Sequence, residues 1–212
     1  SLISIRALIF ALIDINDMGE ATRIFFDFRV ADLAMGSGHF LVAAIDRIES
    51  KMRTFLSEKE TALPGINAQL KRLQNAAEEA LGSDTSAFGE IEPASLLRRQ
   101  IARRCIYGLD INEMAVELSR LAIWIHTFVP GLPMSNLNHG LVHANSLTGV
   151  SNVDQAVSIL TNSDHSGQIS MFESTISENL ELASKYLTEV ANSDEAVKSE
   201  VKASEKILSA AL

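Results

Sequence analysis

The chain opens on an almost unbroken apolar run. Residues 2–13 place apolar side chains on nearly every face of a helix, with Arg6 inside the run and Asp14 after it. A helix of that pattern is expected to be buried. Residues 14–19 read as a loop, and the apolar stretch 21–28 leads into a strand predicted over residues 29–33. This strand is apolar on both faces, as expected of a parallel strand covered by helices. Gly36-Ser37-Gly38 follows, and helical spacing then runs from residue 38 to about 56.

Residues 57–105 form a long interruption before the next strand. Pro64-Gly65 marks a turn, after which Ile66, Leu70, Leu73, Ala77 and Leu81 recur at helical spacing. Gly82-Ser83-Asp84 breaks that helix. Pro93 suits the first turn of another helix carrying Leu97, Ile101 and Cys105. Arg98, Arg99, Arg103 and Arg104 spread around this helix and are expected to form a solvated face.

Ile106 to Asp110 reads as the second strand, and Asn112 as the N-cap of the helix after it. Met114, Leu118, Leu121, Ile125 and Phe128 then recur at i, i+4, i+7, i+11 and i+14, which predicts a core-facing stripe with Trp124 packed beside it. Pro130-Gly131-Leu132-Pro133 ends the helix, and the third strand is expected over residues 141–144. From residue 148 the character changes to Ser, Asn and Asp, and residues 172–191 and 195–211 read as two helices with acidic faces. The expected organisation is a core over residues 1–150, with 57–105 as a helical insertion, and an acidic helical extension over 151–212.

Bulk composition narrows the classes. Apolar residues make up 47% of the 212 positions and charged residues 21%, which reads as soluble and globular. The net charge is −9, and residues 151–212 hold ten acids against four bases. An acidic chain grips duplex DNA poorly, because affinity for phosphates comes mainly from Lys and Arg. The single cysteine, Cys105, allows no disulfide within the chain and suits a reducing cytoplasm; it is expected to be a buried structural thiol. The apolar start is too short to span a bilayer and lacks a small-residue cleavage site, so neither a membrane partner nor a signal peptide is expected. The five histidines have no Cys or acid at metal-ligand spacing, so no metal site is expected.

The chemistry gathers at the predicted strand ends. Asp32-Leu33-Ala34-Met35-Gly36-Ser37-Gly38-His39-Phe40-Leu41 is a strand-end acid, a glycine turn and a helix start. That order suits a nucleotide-like ligand held against a sheet edge, because glycine permits a tight turn and close approach to the backbone. By itself the glycine pair supports a ligand-free strand-to-helix turn equally well. The second strand ends in Asp110, 78 residues on, within Tyr107-Gly108-Leu109-Asp110-Ile111-Asn112. A carboxylate there suits a ribose diol, or else a helix start stabilised by its dipole. The third strand leads into His143-Ala144-Asn145-Ser146-Leu147, where Asn145 is either a turn residue or a side-chain amide able to match an adenine edge.

Taken together, these three stretches resemble the cofactor motifs of N6-adenine DNA methyltransferases. The likeness is to the large restriction–modification and phage-defence enzymes, and it spans about residues 24–150. Beyond Gly-Ser-Gly-His-Phe, the chain matches the pattern Tyr-Gly-x-Asp-x-Asn-x-x-Ala-x-Glu-Leu at Tyr107, Gly108, Asp110, Asn112, Ala115, Glu117 and Leu118. Departures are Leu33 and Met35 in place of the common Asp-Pro-x-x-Gly, and Ala144 in place of a glycine. The resemblance implies a truncated Rossmann-like α/β sheet of about three parallel strands with added helices. It implies S-adenosyl-L-methionine as cofactor, with Asp32, Ala34, Gly36, Ser37, Gly38 and Phe40 around its methionine part. Asp110 and Ile111 would lie at the ribose, and Asn145 and Ser146 at the adenine. The family's Asn/Asp-Pro-Pro-Tyr/Phe catalytic loop is not in the sequence, whose four prolines are unpaired. The chain is therefore expected to be a cofactor-binding fragment without catalytic residues of its own, from an adenine-specific site-specific DNA methyltransferase that meets DNA through other parts. Alternatives are a methyltransferase acting on RNA or protein, or a non-catalytic assembly module retaining the fold. A sheet cut short at the first strand would have an open edge, which the acidic C-terminal helices, a segment around residues 22–28 or a second copy could cover; self-association is the favoured expectation, because acidic helix faces cover an apolar strand poorly.

Overall fold

The structure is a computed structural model and describes residues 25–58, 63–82, 91–147, 169–192, 195 and 197–211. The expectations for residues 2–13, 14–19 and 21–24 lie outside these residues. Three strands form one sheet: β1 (Val30–Asp32), β2 (Ile106–Asp110) and β3 (Leu141–His143). All pairing is parallel and the order is β1-β2-β3, with Val30 opposite Ile106 and Asp110 opposite His143. The expected three parallel strands are present, with β2 between its neighbours and β1 at an edge.

Among the described residues six helices accompany the sheet: α1 (His39–Glu58), α2 (Pro64–Leu81), α3 (Pro93–Arg104), α4 (Glu113–His126), α5 (Ile169–Asn192) and α6 (Lys198–Ala211). Their limits follow local chemistry. Proline opens α2 and α3, where a missing N–H costs nothing. The Asn112 side chain accepts from Met114 N–H at 3.0 Å, capping α4 as its sequence predicts. Leu41, Ile45, Ile48 and Met52 of α1 bury one face against Ile101, Ile106, Val116, Ile123 and Leu141, making the main core. Leu63, Ile66 and Leu97, from the long interruption, join the same core. A smaller core unites Leu73, Ala77, Leu96, Val129 and Leu132.

Three expectations are corrected. The first strand is not covered on both faces, because Ala31 is exposed and Val142, on the same face of the sheet, is exposed as well. The arginines of α3 are not a solvated face, since Arg99, Arg103 and Arg104 are buried. Their counter-charge is remote in sequence. Arg103 Nη2 lies 3.0 Å from Glu195 Oε1, both side chains being fully buried, and also donates to the Val190 carbonyl at 2.9 Å. Arg99 donates to the Glu195 carbonyl at 3.1 Å, and Glu195 Oε2 accepts from Asn136 N–H at 2.9 Å. Burial, reinforced by the neighbouring Arg103 charge and opposed by Glu195, pushes the Arg99 pKa down to about 10. This cluster joins the α5–α6 connection to α3 and to the loop before β3.

The third correction concerns α4. Its inward face is Val116, Ser119 and Ile123. Met114, Leu118, Leu121, Ile125 and Phe128, the stripe expected to face the core, lie on the opposite side and are exposed. The choice of face follows from size: Gly38 meets α4 at Ser119, where only a small side chain lets the two backbones approach. Cys105 is buried as expected, its Sγ 3.5 Å from the Phe26 carbonyl, and burial raises its thiol pKa.

Candidate functional site

Parallel pairing brings three remote stretches to one sheet edge. Asp32, Asp110 and the turn after His143 all stand at the carboxyl ends of their strands. Ligands of open α/β sheets bind outside such an edge.

Residues 33–38 fold from β1 across the end of β2. Met35 N–H donates to the Leu109 carbonyl at 3.0 Å, and Gly36 N–H donates to Asp110 Oδ2 at 2.9 Å. The other oxygen, Asp110 Oδ1, accepts from Asn112 N–H at 2.8 Å. One carboxylate thus fixes both the glycine loop and the start of α4. These backbone donors, Asn112 first and Gly36 next, hold the Asp110 carboxyl below the usual range, with His143 adding to the effect. Asp32 acts locally, its Oδ1 accepting from Ala34 N–H at 3.1 Å.

The third strand end is stitched to the second. Ala144 N–H donates to the Asp110 carbonyl at 3.0 Å, and His143 Nε2 lies 2.8 Å from the Ile111 carbonyl. Asn145 Oδ1 accepts from Leu147 N–H at 3.0 Å. Ser37 Oγ lies 2.8 Å from His39 Nδ1 at the head of α1. Leu33, Phe40, Ile111 and Leu147 stand exposed around this edge, so the site is an open shelf with an apolar rim.

The two loop glycines have different surroundings. Gly36 has φ +53°, and the space a Cβ would enter holds no atom within 4 Å. Gly38 has φ +81° and is buried, where a Cβ would lie 2.9 Å from Ser119 Cβ. Gly36 therefore leaves room above the loop, while Gly38 sets how closely the loop packs on α4.

Three residues outside the sequence-derived set support the shelf from below. Met35 is buried, its sulfur accepting from Ser119 Oγ at 3.3 Å. It passes over Gly108, where a Cβ would fall 2.2 Å from that sulfur. A glycine inside a strand is the signal for such a close approach. Nothing in the sequence pairs Gly108 with Met35 or Ser119, because their proximity exists only after the strands align.

The sequence-derived residues Asp32, Ala34, Gly36, Ser37, Gly38, Phe40, Asp110, Ile111, Asn145 and Ser146 thus lie on three loops at one edge. Among the described residues no group of three or more His, Cys, Asp or Glu side chains is placed to hold a metal ion. No helix among them is long and apolar enough to cross a membrane. Compared with protein-family models, curated proteins and solved structures, the chain finds no match.

Proposed function

We propose that this chain is the S-adenosylmethionine-binding part of a DNA adenine N6-methyltransferase of a restriction–modification or phage-defence system. The observation that carries the reading is Asp110, whose carboxylate fixes the Gly36 loop at an edge shared with Asp32 and Asn145.

The residues present fit the cofactor. Asp110 accepts from the Gly36 and Asn112 backbones, with the Ile111 backbone N–H also turned toward it, and an ionised carboxylate has about four acceptor positions, which leaves at least one for a ribose hydroxyl. Asn145 uses its carbonyl oxygen internally, and its amide nitrogen remains as a donor toward an adenine nitrogen. Ile111 and Phe40 offer apolar surface, and the open space over Gly36 admits a ligand against the backbone. Asp32 would attract the methionine ammonium, its second oxygen being the acceptor. S-adenosylmethionine, when bound, supplies a methyl group made electrophilic by its sulfonium.

The chain's own part is to bind and orient. Asp110 and Asn145 fix the nucleoside end, and the 33–38 loop bounds the methionine end. DNA enters the proposal through other parts of the parent enzyme, in keeping with the −9 charge of this chain. The choice of adenine in DNA as substrate rests on the resemblance, since no base-selecting motif lies in these residues.

Titration calorimetry with S-adenosylhomocysteine tests the reading. We expect binding by the chain, weakened by roughly 1–3 kcal/mol in Asp110→Ala through loss of a charged partner. Asn145→Ala is expected to weaken binding less, since it removes neutral hydrogen bonds. Equal affinity of all three proteins would remove both residues from the site. Circular dichroism of each variant separates a lost contact from a lost fold.

A further inference from the structure

The outer face of α4 has no covering element among the described residues. Met114, Leu118, Leu121, Ile125 and Phe128, with Met134 beside them, are each between 46% and 65% exposed. The inward face, Val116, Ser119 and Ile123, is fully occupied by the core. A helix apolar on two opposite sides is expected to be buried on both.

We infer that this stripe docks a second copy of the same chain, α4 against α4 in antiparallel fashion about Leu121. The inference stands apart from the proposed cofactor site, which lies at the sheet edge.

An isologous contact requires a patch complementary to itself. The stripe is spaced 4, 3, 4, 3 residues, two heptads of the a/d kind, and Leu121 lies midway between its ends. Reversal about Leu121 sets Met114 against Phe128 of the second copy and leaves Leu118 and Ile125 staggered across the seam. The Phe128 ring is already held edge-on by Trp124, with centroids 5.6 Å apart, so a firm aromatic end faces the flexible methionine.

Ala115 and Ala122 line one flank, and reversal sets Ala122 close to Ala122 of the second copy, a small pair that lets the backbones come near each other there. Glu117 and Trp124 line the other, so reversal sets each Glu117 near Trp124 of the second copy and not near another acid. No charged side chain lies within the stripe. The salt of a cell screens the −9 net charge beyond about 8 Å.

Six half-exposed large side chains, at about 150–200 Å² each when fully exposed, give on the order of 500 Å² of apolar surface per copy. With the flanking residues the footprint approaches the roughly 800 Å² per partner of a standard interface. A groove of about 640 Å³ between α4 and α6 borders the stripe on one side, where Leu118, Leu121 and Met134 meet Lys198, Lys202 and Glu205.

Sedimentation equilibrium of the 212-residue chain tests this, with Leu121→Glu as the variant. Position 121 is half-exposed, so the substitution leaves the core intact while placing two carboxylates at the symmetry axis. We expect a species of twice 23.1 kDa at micromolar concentration, and dissociation strengthened about tenfold or more in Leu121→Glu. A monomer throughout, or a dimer equally strong in Leu121→Glu, would overturn the proposal; the latter would place the contact elsewhere, at the β1 edge for one. Oxidative cross-linking of Leu121→Cys gives a second readout. Cys105 is fully buried, so the new thiol is the accessible one. Rapid formation of a disulfide-linked dimer supports the seam, and its failure under conditions where the chain is dimeric refutes it.

Discussion

Gly108 shows how one missing carbon shapes the shelf. A Cβ there would meet Met35 Sδ at 2.2 Å, Leu41 Cδ1 at 3.1 Å and Leu141 Cδ2 at 3.2 Å. Gly108→Ala is therefore expected to cost about 1–3 kcal/mol, the range for overpacking a filled core. Denaturant unfolding measures it. Met35 must move to relieve the clash, and Met35 leads directly into Gly36, so the same substitution should weaken S-adenosylhomocysteine binding. Adding Met35→Ala should recover part of the stability and not the binding. Gly36→Ala makes a contrast: nothing blocks its Cβ, so only the left-handed conformation is penalised, by about 1–2 kcal/mol. His139 carries a different signal. It is held in the interior by burial, its Nε2 2.7 Å from the Arg103 carbonyl, and burial lowers its pKa below the ordinary 6.5. A base whose folded pKa is depressed takes up protons more readily when unfolded. Stability is thus full above pH 6.5 and falls as pH drops from there toward the folded pKa, by up to about 1.4 kcal/mol per pH unit for one proton. Urea midpoints between pH 7.5 and 5 should show the fall, and His139→Gln should flatten it.

At the scale of elements, α3 and α4 each departed from a sound local pattern. The four arginines of α3 spread around the helix, which suggests a solvated face. Burial of Arg99 and Arg103 became possible because Glu195, more than ninety residues away, provides both a carboxylate and a backbone carbonyl. This cluster predicts a sharp asymmetry. Glu195→Ala leaves the Arg103 charge buried without its carboxylate and should cost about 3–5 kcal/mol. Exchanging both partners for apolar residues, as in Arg103→Met with Glu195→Leu, should cost much less. Thermal unfolding measures the difference, and hydrogen exchange should show α5 and α6 loosening first in Glu195→Ala. For α4, periodicity correctly gave a helix, its cap and its amphipathic character. It selected the wrong face because the outward stripe is the more apolar of the two. The inward face won by fit: Ser119 is small enough for Gly38 and positioned to donate to Met35.

At the scale of the whole molecule, the sheet ends at β1 among the described residues, and the shelf at its carboxyl edge is open. The proposed activity divides accordingly: these residues orient a cofactor, and a nucleophile must be positioned by others. Since positioning supplies much of a transfer rate, radiolabelled methyl transfer to mixed genomic DNA by this chain alone is expected to stay at background. Transfer above background would show that the Asn/Asp-Pro-Pro-Tyr/Phe loop is dispensable here. What the sequence alone determined was local. The positions of the three strands, the turn at Gly36 and Gly38, the Asn112 cap and the prolines opening α2 and α3 all follow from short-range sterics and hydrogen bonding, which neighbouring residues specify. The candidate residues could be placed at one edge for the same reason, since each is tied to a strand end. Only the tertiary structure decided which face of α4 turned inward, that the α3 arginines were buried, and that Asp110 would anchor Gly36. Each of those depends on a partner brought close by folding: Ser119 against Gly38 and Met35, Glu195 against Arg103, and one parallel strand end beside another. A linear pattern shows that a side chain needs a partner, and the packed chain determines which partner it gets.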